Sequence, residues 1–152
     1  MKVLFLDFDG VLNSYKYLNQ SGGEGVSLDP VRLTLLKSII DQTGAFIVLT
    51  TSWREHWDKN DALCDETGLL INKIFGDYGL KIFDKTPYLG RFREQEIEAW
   101  LNKNNVESFV ALDDAVLEAE FLTGHFVKTS IYKGLEENGA EKAVSILMGG
   151  AL

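Results

Sequence analysis

Asp7 and Asp9 stand two residues apart with Gly10 behind them, Asp113 and Asp114 stand side by side late in the chain, and Thr50 lies between the two pairs. Asp7, Thr50 and Asp113 each directly follow four consecutive apolar residues: 3–6, 46–49 and 109–112. Short runs that are apolar on both parities read as strands buried on both faces of a parallel sheet. Ligands of such sheets bind at the carboxyl ends of the strands, where these polar residues fall. One aspartate there would serve as a strand terminator or a helix cap. Four converging carboxylates repel one another by several kcal/mol at an effective dielectric near 20, roughly, unless a cation sits among them. An all-oxygen donor set suits a hard divalent cation, with Mg²⁺ the candidate.

The elements that must position these residues alternate along the chain. A weaker strand signal, Phe126-Val127, precedes Lys128-Thr129. A helix is expected from Pro30, behind Asp29, to just before Gly44. Others are expected over 54–67, with Gly68 as the stop, and over 93–103, 115–122 and 140–148. The segment 71–75 reads as strand-like. Strands alternating with helices predict a three-layer αβα, Rossmann-like sandwich around a parallel sheet, as a single domain over 1–152. The polar, glycine-containing stretch 13–27 interrupts the alternation and reads as a short flap or hairpin after the first strand.

Phe5-Leu6-Asp7-Phe8-Asp9-Gly10-Val11 resembles the first signature of the haloacid dehalogenase-like (HAD) phosphohydrolases. Val48-Leu49-Thr50 is similar to their second motif and Val110-Ala111-Leu112-Asp113-Asp114 to their fourth, in the same order. More narrowly, Thr51-Ser52-Trp53-Arg54, Glu96-Ile97-Glu98-Ala99-Trp100-Leu101 and Lys133-Gly134-Leu135 resemble the small capless HAD domains found alone or attached to RNA-repair proteins. The resemblance implies a Mg²⁺-dependent phosphatase acting on a phosphomonoester. Asp7 would be the nucleophile that forms an aspartyl-phosphate, and Asp9 the general acid and base. Residues i and i+2 of a regular strand share a face, so both would reach one substrate. Gly10 would let the backbone approach the phosphate. The cation would be held by Asp7, the Asp9 backbone carbonyl and Asp113, with Asp114 close by. Thr50 would donate to the phosphoryl oxygens, with Thr51 and Ser52 near enough to leave that register open.

The chain departs from the family at the third motif, normally a lysine. Lys85, Arg91 and Arg93 compete for this role, and Arg93 fits best. Arginine stays charged and grips phosphate in a fork. Arg54, directly after the second motif, is a candidate for a second anionic group of the substrate. Trp53 would pack against the sheet or stack on an aromatic leaving group. Cys64 is expected as a buried, inert thiol, His56 as a solvated side chain and His125 as a local hydrogen-bonding group.

Fifteen basic against 23 acidic residues give the 152-residue chain a net charge of −8, which disfavours broad nucleic-acid binding but not a local basic patch. A single cysteine and the lack of any long apolar run fit a cytoplasmic protein. A receiver domain would carry its acidic pair after the first strand and not the fourth. A calcium loop from Asp7 fails because position twelve is Leu18. A weakly active HAD-like binding or regulatory module stays open beside the phosphatase. The interval between Thr50 and Asp113 leaves no room for a cap domain, so bulky substrates, a polynucleotide end among them, are admitted.

Overall fold

The computed structural model describes residues 1–23 and 25–150. Five parallel strands, β1 (Lys2–Leu6), β2 (Phe46–Leu49), β3 (Ile82–Lys85), β4 (Ser108–Asp113) and β5 (Phe126–Lys128), form one sheet in the order β3-β2-β1-β4-β5. This is the expected Rossmann-like α/β arrangement, with β1 at the centre. Alternation in β1 divides the core into two layers. Leu4 and Leu6 pack with Leu33, Leu36 and Ile39 of helix α2 (Pro30–Thr43), with Ile71 and Phe75 of α3 (Glu66–Asp77), and with Ala143 and Ile146 of α5 (Glu137–Leu147). Val3 and Phe5 face the opposite way, onto Ile97 and Trp100 of α4 (Arg93–Asn102). Each fully buried aliphatic or aromatic side chain contributes about 1.5–3 kcal/mol, so both faces of β1 anchor the strand that carries Asp7.

Helix α2 starts and stops as its sequence dictates. The Asp29 side chain accepts the Val31 N–H, Pro30 opens the first turn, and Gly44 closes the helix at φ +69°. The remaining elements depart from expectation in specific places. Residues 54–67 are not one helix: a 3₁₀ turn (Ser52–His56) and a second (Asp61–Leu63) precede α3, whose cap is Asp65, its carboxylate accepting from Gly68 N–H. Gly68 is thus in the first turn of a helix and not behind the last. A Cβ there would fall onto the His56 carbonyl, so glycine is required by close packing. Segment 71–75 belongs to α3, its Ile71 and Phe75 being one helical turn apart and buried, and the third strand lies later, at β3.

Residues 115–122 form only a 3₁₀ turn (Glu120–Leu122). There the alanines' helix propensity yields to tertiary bonding: Ala115 N–H donates to Asp113 Oδ1, and Glu118 N–H to Glu94. Cys64 ends the second 3₁₀ turn, half-buried, with its sulfur bonded to the Asp58 backbone. The expected flap contains helix α1 (Tyr15–Ser21), capped by Ser14 and tied to the β5–α5 connection where Tyr15 and Lys16 N–H groups meet the Ile131 and Tyr132 carbonyls. Glu24 of that stretch lies outside the described residues. No helix among the described residues is long and apolar enough to cross a membrane.

Candidate active site

Sheet register brings the motif residues together. Leu6 pairs with Leu49 of β2 and with Leu112 of β4, so the next residues, Asp7, Thr50 and Asp113, stand level on three adjacent strands. Two further ladder bonds fix this level: Asp7 N–H to the Leu112 carbonyl at 3.2 Å and Thr50 N–H to the Leu6 carbonyl at 2.9 Å. Asp7 and Asp113 are buried and Asp114 is half-buried, and all three offer a carboxylate oxygen within 4.8 Å of one another. At that separation each pair of charges repels by roughly 3–4 kcal/mol at an effective dielectric of 20.

Arg93 answers part of that repulsion. Its Nη1 lies 3.0 Å from Asp7 Oδ2 and 2.7 Å from Asp113 Oδ2. A cation in the first turn of a helix opposes the helix dipole, so the position of Arg93 at the start of α4 is explained by the two carboxylates and not by the helix. Burial works against its charge, but Asp7 and Asp113 outweigh burial and hold the guanidinium protonated more firmly than usual. Asp7 is pushed up to about 7, first by burial and then by the charge of Asp113, while Arg93 and the Phe8 N–H act in the other direction. Asp114 is also raised, by burial and then by Asp113. Three carboxylates and one guanidinium leave two formal negative charges on an oxygen-only donor set. That matches a hard divalent ion such as Mg²⁺ in charge and in ligand type.

Asp9 sits differently from the strand-based expectation. β1 ends at Leu6, and a tight turn follows in which the Phe8 carbonyl accepts from Val11 and Leu12 N–H groups. Asp9 is exposed on that turn and outside the carboxylate group. Its two oxygens are held separately: Asn13 Nδ2 donates to Oδ1 at 2.9 Å and Trp53 Nε1 to Oδ2 at 3.3 Å. The buried Asn13 amide also accepts Gly10 N–H at 3.0 Å and so closes the turn. Gly10 has φ +79°, and a Cβ on it would come within 2.5 Å of Asp114 Cγ. Only glycine allows the turn and the carboxylate to share that space. On the far side, Thr129 hydroxyl donates to the Gly10 carbonyl at 2.6 Å and Thr129 N–H to the Asp113 carbonyl.

Two expected substrate ligands are built into the scaffold instead. Arg54 is 2% exposed: Nε donates to Thr86, Nη1 to Thr50 and Thr51, and Nη2 to Glu96 Oε1 at 2.9 Å. Its donors are consumed by carbonyls and one carboxylate, so it secures the loop bearing Thr50 and does not present itself to a substrate. Thr51 is fully buried and its hydroxyl accepts Trp53 N–H. Of the three competing hydroxyls, Thr50 is the one level with Asp7. Lys85 donates to the Arg54 and Trp57 carbonyls, and Arg91 lies over the Phe92 ring, which leaves Arg93 as the cation at the carboxylates. Asn13 and Thr129 were not legible as site residues. Their only signal is a polar residue four positions after Asp9 and another just behind the weakest strand.

A central Asp-bearing strand flanked by a threonine tip and an acidic tip, in a parallel α/β sheet, defines a HAD-type hydrolase domain. The family model described as the HAD domain in Swiss Army Knife RNA repair proteins matches residues 3–140, and the chain belongs to that family. Searches of curated proteins and of solved structures return no match.

Proposed function

We propose that this chain is a Mg²⁺-dependent phosphatase that hydrolyses a phosphomonoester through an aspartyl-phosphate on Asp7. The observation that carries the reading is the meeting of Asp7, Asp113, Asp114 and Arg93 at the ends of β1 and β4 and the start of α4. Asp7, Asp113 and Asp114, with the Asp9 backbone carbonyl, would hold the cation. The chemistry supplied by bound Mg²⁺ is neutralisation of charge between the anionic nucleophile and the anionic phosphoryl group.

The chain's own residues do the rest. An Asp7 carboxylate oxygen forms the new P–O bond as the ester P–O bond breaks, and Asp9 gives its proton to the departing alkoxide. Asp9 then takes a proton from water, which attacks phosphorus and releases phosphate and the free Asp7 carboxylate. Thr50 hydroxyl and the Arg93 guanidinium donate to the phosphoryl oxygens. Asn13 and Trp53 orient Asp9, each holding one oxygen. The family's description as a domain of RNA repair proteins supports a nucleic-acid end as the phosphorylated substrate.

The test is chemical trapping. Borohydride reduces an acyl phosphate, so a quenched reaction would convert Asp7 to homoserine, located by peptide mass. Turnover that continues with no reduction at Asp7 would refute the covalent mechanism.

A further inference from the structure

Two hollows near the carboxylates differ in chemistry, and Asp114 lines only one of them. On the face of α4 lies a groove of about 850 Å³, rimmed by Glu94, Glu98, Glu118 and Glu120. A polyanion entering there would meet like charge. On the other face a cavity of about 500 Å³ runs from Asp114 past Lys128, Thr129 and Ser130 to Tyr132, at the start of the α5 connection. Among the described residues, Glu136 is the one carboxylate besides Asp114 on its wall. Tyr132 is 66% exposed and meets Tyr15, itself 49% exposed, edge to face with ring centroids 5.5 Å apart. Lys128 is exposed, and Lys16 and Lys133 flank the two tyrosines in sequence.

Two large aromatic rings left in water beside lysines, one of them on the wall of a cavity that Asp114 also lines, are the components of a base-stacking and phosphate-tracking surface. Backbone bonds keep it in place, since Tyr15 N–H donates to the Ile131 carbonyl at 2.9 Å and Lys16 N–H to the Tyr132 carbonyl at 3.3 Å. The platform therefore belongs to the ordered junction of α1 with the β5–α5 connection.

We propose that the Tyr15–Tyr132 pair and Lys128 form a subsite for a nucleotide leaving group, so that the substrate is a phosphorylated oligonucleotide end whose adjoining base stacks on Tyr132 while its phosphodiester faces Lys128. The subsite rests on the phosphatase reading for its consequence, but not for its existence. It also shows how a chain of net charge −8 could hold a polyanionic end, because Lys128 offers local positive charge beside Asp114.

The test compares phosphate release from trinucleotides phosphorylated at the 5′ or the 3′ end with release from glycerol 2-phosphate. The KM for one of the two trinucleotides is expected to be at least about tenfold below that for glycerol 2-phosphate, in keeping with the worth of one base–aromatic stack. Tyr132→Ala should raise the trinucleotide KM about tenfold, and Tyr132→Phe, which keeps the ring, should restore it. Lys128→Ala should lower the salt dependence of log KM for the trinucleotide by about 0.7, the share of one single-strand phosphate contact. An unchanged KM ratio in both Tyr132→Ala and Lys128→Ala would overturn the proposal. Should the wild-type chain release no phosphate from any of the three, the phosphatase reading fails. Anisotropy of fluorescein-labelled trinucleotides on the Asp7→Asn chain then decides the subsite alone: binding weakened about tenfold by Tyr132→Ala supports it, and binding indifferent to Tyr132 sinks it.

Discussion

Replacing Asp7 by asparagine should abolish turnover and yet stabilise the cation-free fold at alkaline pH. Asp7 has its carboxyl raised from 3.8 to about 7 by burial, then by Asp113. Between those two pH values the unfolded chain binds fewer protons than the folded one, so stability is lost as pH rises through the interval and levels off above it. A shift of about three units corresponds to about 4 kcal/mol at 1.36 kcal/mol per unit. Asparagine removes the charge but keeps an oxygen for Phe8 N–H, the bond that Asp7 Oδ1 now accepts. It loses the ion pair with Arg93, which retains Asp113 at 2.7 Å. The net gain at pH 8 is then about 2–4 kcal/mol, or roughly 5–15 °C in Tm for a domain of this size. At pH 5 only about a third of the interval has been crossed, and the advantage should shrink accordingly. Thermal melts in EDTA at pH 5 and pH 8 measure both values, and Mg²⁺ at pH 8 should narrow the gap by stabilising the wild-type chain selectively. An Asp7→Asn chain no more stable than wild type at pH 8, or equally favoured at both pH values, would refute the reasoning.

Three other substitutions separate scaffold from chemistry. Arg54→Ala leaves Glu96 buried without its partner and frees the Thr50 carbonyl, so urea unfolding should show a loss of about 3–5 kcal/mol. Gly10→Ala forces a Cβ against the Asp114 carboxylate at φ +79°, and Mg²⁺-dependent phosphate release should fall more than about tenfold with far-ultraviolet circular dichroism unchanged. Asn13→Ala frees one oxygen of Asp9, and kcat should drop about tenfold or more with KM within about twofold, because misplacing a proton-transfer group affects the chemical step.

The parts of the fold that were legible are those where hydrophobic pattern and local chemistry agree. β1, β2 and β4 are apolar on both parities and buried on both faces, and α2 carries Asp29, Pro30 and Gly44 where a helix needs them. Legibility failed where tertiary contacts outrank local preference. Gly68 looks like a stop until the His56 carbonyl shows why no Cβ fits, and residues 115–119 look helical until the Asp113 carboxylate takes the Ala115 N–H. β3 is short and only its first residue is buried, so its pattern is weak.

In the site, Asp7 and Asp113 stand out because several carboxylates at the ends of buried strands call for a cation among them, and Arg93 stands out through its resemblance to the family's third motif. The scaffold role of Arg54 does not. An arginine beside a phosphate motif reads as an anion ligand, and only the positions of Thr86, Pro87 and Glu96, more than thirty residues away, show that its donors are consumed. Asp9 is marked by its spacing from Asp7, but β1 ends at Leu6, before either residue. A turn held by Asn13, not strand alternation, presents it.

Phosphate release from p-nitrophenyl phosphate, with Mg²⁺ and with EDTA, tests the central claim most directly. The account predicts release in Mg²⁺ that EDTA abolishes and that Asp7→Asn and Asp113→Asn each remove. Release that persists in EDTA, or that survives Asp7→Asn, would contradict it.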